Sequence, residues 1–268
     1  MIVLKSPEEI ARIRANGAIV AEVLERLGEA VRPGVSTAEL DRIAEAAIRA
    51  HPGAVPSFKG YNGFPAAICT SVNGEVVHGI PSPDRRLAEG DVVSVDVGVY
   101  RDGWHADAAR TFAVGRIDPE ARRLLETTEA CLDRAIGQVA PERTLGDVAA
   151  AVQEHAEGAG FQVVRELVGH GIGRQLHEDP QVPNFGTRGE GLRLRPGLVF
   201  AIEPMVNAGG AAVETLGDHW TIRTVDGSLS AHFEHTVAVT TTGCEVLTAP
   251  GGAGAREEDR PRARIAGG

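Results

Sequence analysis

Five residues of this 268-residue chain are spaced so that they could do chemistry together: Asp96, Asp107, His170, Glu203 and Glu234. Asp96 lies inside the apolar run VVSVDVGV and Glu203 inside LVFAIEPM, strand interiors where a lone carboxylate suffers a large desolvation penalty. Each needs a cationic partner. Arg101, Arg110, Arg195 and Arg223 are candidates, and for any single acid a buried ion pair is the plainer expectation. The acids come in two pairs, however, one in each half of the chain. Four carboxylates converging on one place are neutralised more naturally by two divalent cations than by scattered arginines. The imidazole of His170 completes a mixed oxygen and nitrogen donor set that suits Mn, Fe, Co or Zn and disfavours calcium. Two such cations roughly 3.5 to 4 Å apart lower the pKa of a shared water and stabilise the oxyanion formed at a carbonyl. Hydrolysis is the chemistry expected, and a substrate amine held by one metal would direct it to a chain end.

The elements that must position these residues can be read in order. Ser6, Pro7 and Glu9 form a capping box that opens a helix, whose apolar stripe runs through Ile10, Ile13, Gly17, Val20, Leu24, Leu27 and Val31. Arg32-Pro33-Gly34 ends it, and Ser36 with Glu39 caps a second helix. Asn73-Gly74 predicts a two-residue hairpin whose register sets Cys69 opposite His78. Asp102-Gly103 predicts a second hairpin, in which Asp96 faces Ala109 and Asp107 shares their face. The second half echoes the first. Val139, Pro141, Thr144, Asp147 and Val148 repeat Val31, Pro33, Ser36, Glu39 and Leu40 at an offset of 108 residues. GLVFAIEP repeats GDVVSVDV at an offset of 107, which superposes Glu203 on Asp96, and Glu234 is expected where the first half has Asp107. The expected architecture is a pseudo-symmetric α/β domain over residues 1–249, with halves of about 1–115 and 116–249. Residues 250–268 carry no apolar pattern and read as a disordered tail.

Composition narrows the function classes. With 27 basic and 37 acidic residues the net charge is −10, so no overall positive field draws the chain to nucleic acid or anionic lipid. Cys69, Cys131 and Cys244 are odd in number and far apart, which fits a reducing cytosol and neither a disulfide framework nor a structural zinc site. No segment approaches the roughly 20 apolar residues of a membrane span, and none marks export. His177-Glu178 does not continue into H-E-x-x-H, no G-x-S-x-G elbow occurs, and the glycines of GHGIG match no phosphate-binding pattern. Cys131 falls on an apolar helical stripe and is expected in the core, while His155 is expected at a helix surface.

The segments GYNGFPAAICTSVN, EVVHGIPS, DVVSVDVGVYRDGWHADAARTF, GHGIG, HEDPQVPNFG, VFAIEPMV and AHFEHTVAV occur in an order and spacing that resemble the pita-bread M24 metallopeptidases, and among them the bacterial-type (type I) methionine aminopeptidases. The resemblance implies a pseudo-two-fold fold with a central antiparallel sheet and helices on one side. It implies that Asp96, Asp107 and Glu234 hold one metal, and that Asp107 and Glu234 bridge to a second metal held by His170 and Glu203. Glu203 would also shuttle protons, and His78 and His177 would contact substrate and stabilise the tetrahedral intermediate. Tyr61, Phe64, Cys69 and Trp220 would line a slot for an unbranched methionine side chain. Phe58, Phe64 and Leu176 stand where bacterial relatives often have a small residue or cysteine, tyrosine, and phenylalanine, so the slot is expected to differ in shape. The implied partners are nascent polypeptide N-termini, met in the cytoplasm by a monomer with transient ribosome association, and no nucleic acid or membrane. Two other readings remain open at this point: a proline-directed relative such as prolidase or aminopeptidase P, which normally carries an extra N-terminal domain, and a catalytically silent peptide binder.

Overall fold

The computed structural model describes residues 2–250, so the tail expected over residues 250–268 lies, but for its first residue, outside the described residues. The first half runs α1 (Pro7–Ala30), α2 (Thr37–Arg49), β1 (Val55–Pro56), β2 (Ile68–Val72), β3 (Glu75–Val77), β4 (Val92–Arg101) and β5 (Trp104–Ala113). The second runs α3 (Pro119–Ile136), α4 (Leu145–Gly158), β6 (Gln162–Val163), β7 (Gly169–Gly171), β8 (Glu178–Val182) and β9 (Val199–Ile202). It continues through β10 (Met205–Asn207), β11 (Val213–Thr215), β12 (Ile222–Thr224), β13 (Ser230–His232), β14 (His235–Val239) and β15 (Cys244–Val246). Every strand pair is antiparallel. The expected central sheet is divided into four pieces, of which the β4–β5 ladder of the first half and the β9–β14 ladder of the second matter most here.

The caps read from the sequence form as expected. Ser6 with Glu9, Ser36 with Glu39 and Thr144 with Asp147 each make reciprocal capping boxes at the starts of α1, α2 and α4. Behind the caps, α1 buries Ile13, Gly17, Val20, Leu24 and Leu27, and Gly17 is a close approach: a Cβ there would sit 2.1 Å from the Leu247 carbonyl oxygen. One apolar core joins α1 and α2 to β2 and β4, and a second joins α3 and α4 to β9 and β14. Cys131 is fully buried in that second core, as its helical stripe implied.

The β4–β5 hairpin follows the predicted register, with Asp96 opposite Ala109 and Asp107 opposite Gly98. Its turn residues Asp102 and Gly103 both have positive φ, 53° and 85°, as a two-residue turn requires. The Asn73-Gly74 hairpin does not form. β2 pairs with β4 and β3 with β12, so the strands flanking the turn belong to different sheets and Cys69 faces Asp96, not His78. Distant partners capture the turn's polar groups. Asn73 donates its backbone N–H to Val92 O and its amide to Asp91, and the Asn73 and Gly74 carbonyls accept from Ser230 and Thr224.

The internal repeat extends further than the sequence offsets alone indicate. Ser36 bridges Arg86 and Thr144 bridges Arg193 at matching places in the two halves. Across the centre, the Thr236 hydroxyl accepts from Asp107 N–H and donates to Asp107 O (3.1 and 2.7 Å). Reciprocally, the Thr111 hydroxyl accepts from His232 N–H and donates to His232 O (both 2.8 Å). This exchange relates Asp107 to His232 and Thr111 to Thr236, each by 125 residues. Glu234, which donates its N–H to Ala109 O, therefore corresponds to Ala109, and the expected equivalence of Glu234 with Asp107 is corrected. One further step along the β9–β14 register beyond Ile202 and His235 sets Glu203 against Glu234, as Asp96 is set against Ala109.

Candidate metal centre

Because alternate residues of a strand share a face, β4 and β5 carry Asp96 and Asp107 to one side, and the ends of β9 and β14 bring Glu203 and Glu234 to meet them. His170 comes from β7, which is bridged to β9 through Gly171. All five line one cavity of about 280 Å³. Asp107, His170 and Glu234 each offer a donor atom within 4.8 Å of the other two. His170 Nε2 lies 3.9 Å from Asp107 Oδ2 and 3.6 Å from Glu203 Oε1. Glycine makes this approach possible: a Cβ at Gly171 would lie 2.1 Å from the Asp179 carbonyl oxygen, and one at Gly169 2.4 Å from that of Ala201.

Three of the four arginines weighed as partners are engaged elsewhere. Arg101 faces Asp102, Arg223 pairs with Glu214, and Arg110 lies over the Phe112 ring. Among the described residues, the ion-pair contacts to these acids come from His170 and His232 alone. Asp96 Oδ1, Asp107 Oδ1 and Glu234 Oε1 are buried without a hydrogen-bond partner. Such groups are costly unless something neutralises them. Burial pushes Asp107, Glu203 and Glu234 well above the ordinary carboxylate range, and repulsion from neighbouring acids adds to it. Burial raises Asp96 to about 7, against an opposing hydrogen bond with Asp107. His170 is pushed down to about 3, first by burial and then by His177, which keeps its imidazole neutral and able to ligate. Orphaned carboxylate oxygens converging on a neutral imidazole fit one or more divalent cations of the oxygen-and-nitrogen class.

The remainder of the cavity is largely apolar, with two further histidines in its lining. Phe58, Tyr61, Phe64, Cys69, Leu176 and Trp220 line it together with His78 and His177. Phe64 and Trp220 meet edge to face, with centroids 5.1 Å apart. Phe58, the bulky departure noted above, is accommodated against Gly98, where a Cβ would fall 2.7 Å from its ring. Cys69 is buried, and desolvation followed by the charge of Asp96 holds its thiol well above the ordinary range, so it serves as an apolar wall and not as a nucleophile. His78 and Cys69 therefore share the cavity by a route other than the expected hairpin pairing. His78 has φ 59°, a strained conformation for a residue with a Cβ, and Gly79 behind it packs on Thr70 so closely that no side chain would fit. Burial, with His177 second, lowers His78 to about 4.

His177 sits on the segment joining β7 to β8, with its ring centroid 4.2 Å from that of His170 and its Nδ1 2.8 Å from the Tyr61 hydroxyl. That segment is tied down from afar. His105 N–H of β5 donates to Gly173 O at 2.8 Å, and Lys5 Nζ donates to Glu178 Oε2 at 2.6 Å. Lys5 is buried, and a Cβ on Gly173 would collide with both Lys5 and Glu178. Lys5, Asn184 and His232 are residues the sequence reading did not single out. Asn184 donates its amide to the Glu203 carbonyl at 3.0 Å, fixing the chain where β9 ends. His232 could have been found by laying AHFEHTVAV directly on ADAARTFAV, which sets it on Asp107.

The model of metallopeptidase family M24 matches residues 11–241 of the chain. Methionine aminopeptidase 1 of Bacillus subtilis is 51% identical over 248 residues, covering 92% of this chain and 99% of that protein. A crystal structure of methionine aminopeptidase from Rickettsia prowazekii superposes with a TM-score of 0.91 at 41% identity, covering 93% of this chain and all of the other. The prolidase of Pyrococcus horikoshii shares the fold at a TM-score of 0.75 and 21% identity, with this chain spanning 64% of it.

Proposed function

The chain belongs to metallopeptidase family M24, and from that premise we propose that it removes the N-terminal methionine of polypeptides whose second residue is small. The observation that carries this reading is the juxtaposition in one cavity of five ligand-type side chains, three of them carboxylates with an unpartnered buried oxygen, with a largely apolar lining. The high identity to named methionine aminopeptidases along nearly the whole chain supports it over a proline-directed activity. Retention of all five ligand-type residues speaks against a silent binder.

Asp96, Asp107 and Glu234 are assigned to one divalent cation, and Asp107, Glu234, His170 and Glu203 to a second. When bound, such cations supply Lewis-acid polarisation of the substrate carbonyl and acidify a water. The chain's own groups do the rest. Glu203, raised in proton affinity by burial, is poised to accept a proton and return it to the leaving amine. His177, with Nδ1 occupied by Tyr61, keeps Nε2 for the substrate carbonyl, and His78, in the same lining, contacts the peptide. Phe58, Phe64, Cys69, Leu176 and Trp220 receive the methionine side chain, and the acids that line the same cavity receive the free α-amine. A buried polar or β-branched first side chain finds no partner or no room there. The partners proposed are nascent N-termini in the cytoplasm, met by a monomer in transient contact with the ribosome. Two observations are compatible with this setting: a net charge of −10, and the absence of any helix among the described residues long and apolar enough to cross a membrane.

The test is a peptide panel. Protein loaded with Mn²⁺ or Co²⁺ should release methionine from Met-Gly-Ser and much more slowly from Met-Lys-Ser, and should leave Ala-Pro intact. Cleavage of Ala-Pro alone would overturn the reading in favour of prolidase chemistry, and tight binding without turnover would favour the silent binder.

A second expectation concerns the remote tie to His177. In Lys5→Met, Glu178 loses its buried partner, which costs about 3 kcal/mol of stability. Misplacement of His177 should then lower kcat/KM roughly 10- to 100-fold while metal content stays at the wild-type level. Parallel calorimetric melting, metal analysis and Met-Gly-Ser kinetics check this, and an unchanged kcat/KM would show that His177 is held without Lys5.

A further inference from the structure

Among the buried groups that no role above uses, His232 is the one whose surroundings point to the metal centre. It lies at the end of β13 and is 2% exposed. Its Nε2 is buried without a hydrogen-bond partner. That nitrogen lies 3.9 Å from Glu203 Oε2 and 4.0 Å from Glu234 Oε2. Glu203 is thereby flanked on both oxygens, with His170 against Oε1 and His232 against Oε2.

The pseudo-symmetry says why a side chain is delivered there. His232 is the counterpart of Asp107, and the Thr111 hydroxyl pins its backbone N–H and C=O just as Thr236 pins those of Asp107. The same backbone geometry that turns Asp107 into the centre turns His232 toward it. The chemistry of the neighbours then selects a tautomer. Holding a cation, the two glutamates are ionised and only accept hydrogen bonds, so an unprotonated Nε2 would set acceptor against acceptor, whereas Nε2–H supplies the missing donor. The present separations exceed a hydrogen bond by about 1 Å, so the donor role requires a glutamate carboxylate to turn toward Nε2. The two halves also differ in need. The first half contributes two short aspartates, and the second contributes two glutamates with an extra rotatable bond each, whose freedom must be restrained before they can ligate well.

We propose that His232 is a positioning residue of the metal centre, an Nε2–H donor that holds the Glu203 and Glu234 carboxylates in their ligating orientation. This rests on the reading of the acidic cluster as a cation site. Outer donors of this kind are worth about 10- to 100-fold in metal affinity, and the load here falls on the second half's ligands.

The experiment is calorimetric titration of metal-stripped wild type, His232→Leu and His232→Gln with Mn²⁺, together with kcat and KM for Met-Gly-Ser. The glutamine amide restores an N–H donor at a reach similar to Nε2, and leucine does not. His232→Leu should bind Mn²⁺ 10- to 100-fold more weakly, with kcat lowered and KM nearly unchanged, and His232→Gln should recover to within several-fold of wild type. Equal losses in the two variants, or wild-type affinity in His232→Leu, would overturn the assignment. Should His232→Leu fail to fold, the wild-type ring decides: nitrogen-15 spectra of Zn²⁺-loaded protein should show Nε2 protonated, and a bare Nε2 would overturn the proposal. If wild type itself binds no Mn²⁺, the cation reading falls, which is a different outcome from the failure of His232 alone.

Discussion

Asp107→Asn should abolish methionine release while making the metal-stripped protein more stable. The carboxylate is assigned to both cations, so its loss removes much of the several kcal/mol of charge stabilisation that metals supply, equivalent to roughly a thousandfold or more in kcat/KM. The stability effect has the opposite sign because the four acids are buried against one another. Carboxyl groups whose proton affinity is raised in the fold leave stability intact below their unfolded pKa and reduce it as pH climbs toward the folded value. For Asp96 that window runs from its ordinary 3.8 to about 7. Metal-stripped wild type should therefore melt lower at pH 7.5 than at pH 5.5. An asparagine at 107, which carries no charge, should recover part of the loss at the higher pH, each ~1 kcal/mol raising Tm by about 2–4 °C. Scanning calorimetry at the two pH values, with and without Mn²⁺, separates these effects. A metal-stripped Asp107→Asn that melts lower than wild type at pH 7.5 would mean that the acids are stabilised by the protein itself and need no cation.

Glu203→Gln should separate binding from chemistry. The amide keeps one oxygen donor beside His170, and Asn184 still fixes the backbone through the Glu203 carbonyl, so the cavity is expected to retain its shape. The proton acceptor is gone. Loss of a positioned general base costs typically 10²–10⁴-fold, and the loss should appear in kcat, with KM for Met-Gly-Ser changing far less. Steady-state kinetics with metal analysis of the same preparation checks this. A variant that keeps kcat within a few-fold of wild type would assign the proton transfer to another group, for which His78 and His177 are candidates in the lining.

These expectations start from residues whose meaning was legible in the sequence because the physics is local. A carboxylate inside an apolar strand announces an uncompensated charge wherever the chain folds, so Asp96 and Glu203 stood out without a structure. The β4–β5 hairpin was legible for the same reason: its turn needs only the positive φ of Asp102 and Gly103, and its register follows by counting. The Asn73-Gly74 hairpin carried an equally strong local signal and did not form, because Asp91, Val92, Thr224 and Ser230 supply the hydrogen bonds that the two strands would have given each other. Nothing within reach of the turn reveals those partners. Lys5 was hidden by distance, since its partner Glu178 is 173 residues away. His232 was hidden by its type, because a single histidine on an apolar strand usually packs in a core; the direct overlay of AHFEHTVAV on ADAARTFAV sets it on Asp107, and the reciprocal threonine bonds across the centre bear that alignment out.

The central claim is that the converging acids and His170 form a two-cation hydrolytic centre, and anomalous diffraction from crystals of the Mn²⁺-loaded protein tests it most directly. The account predicts two manganese peaks about 3.5–4 Å apart, one against Asp96, Asp107 and Glu234, the other against Asp107, His170, Glu203 and Glu234. A fully active crystal batch with no peak in this cavity, or with manganese bound only elsewhere on the chain, would contradict it.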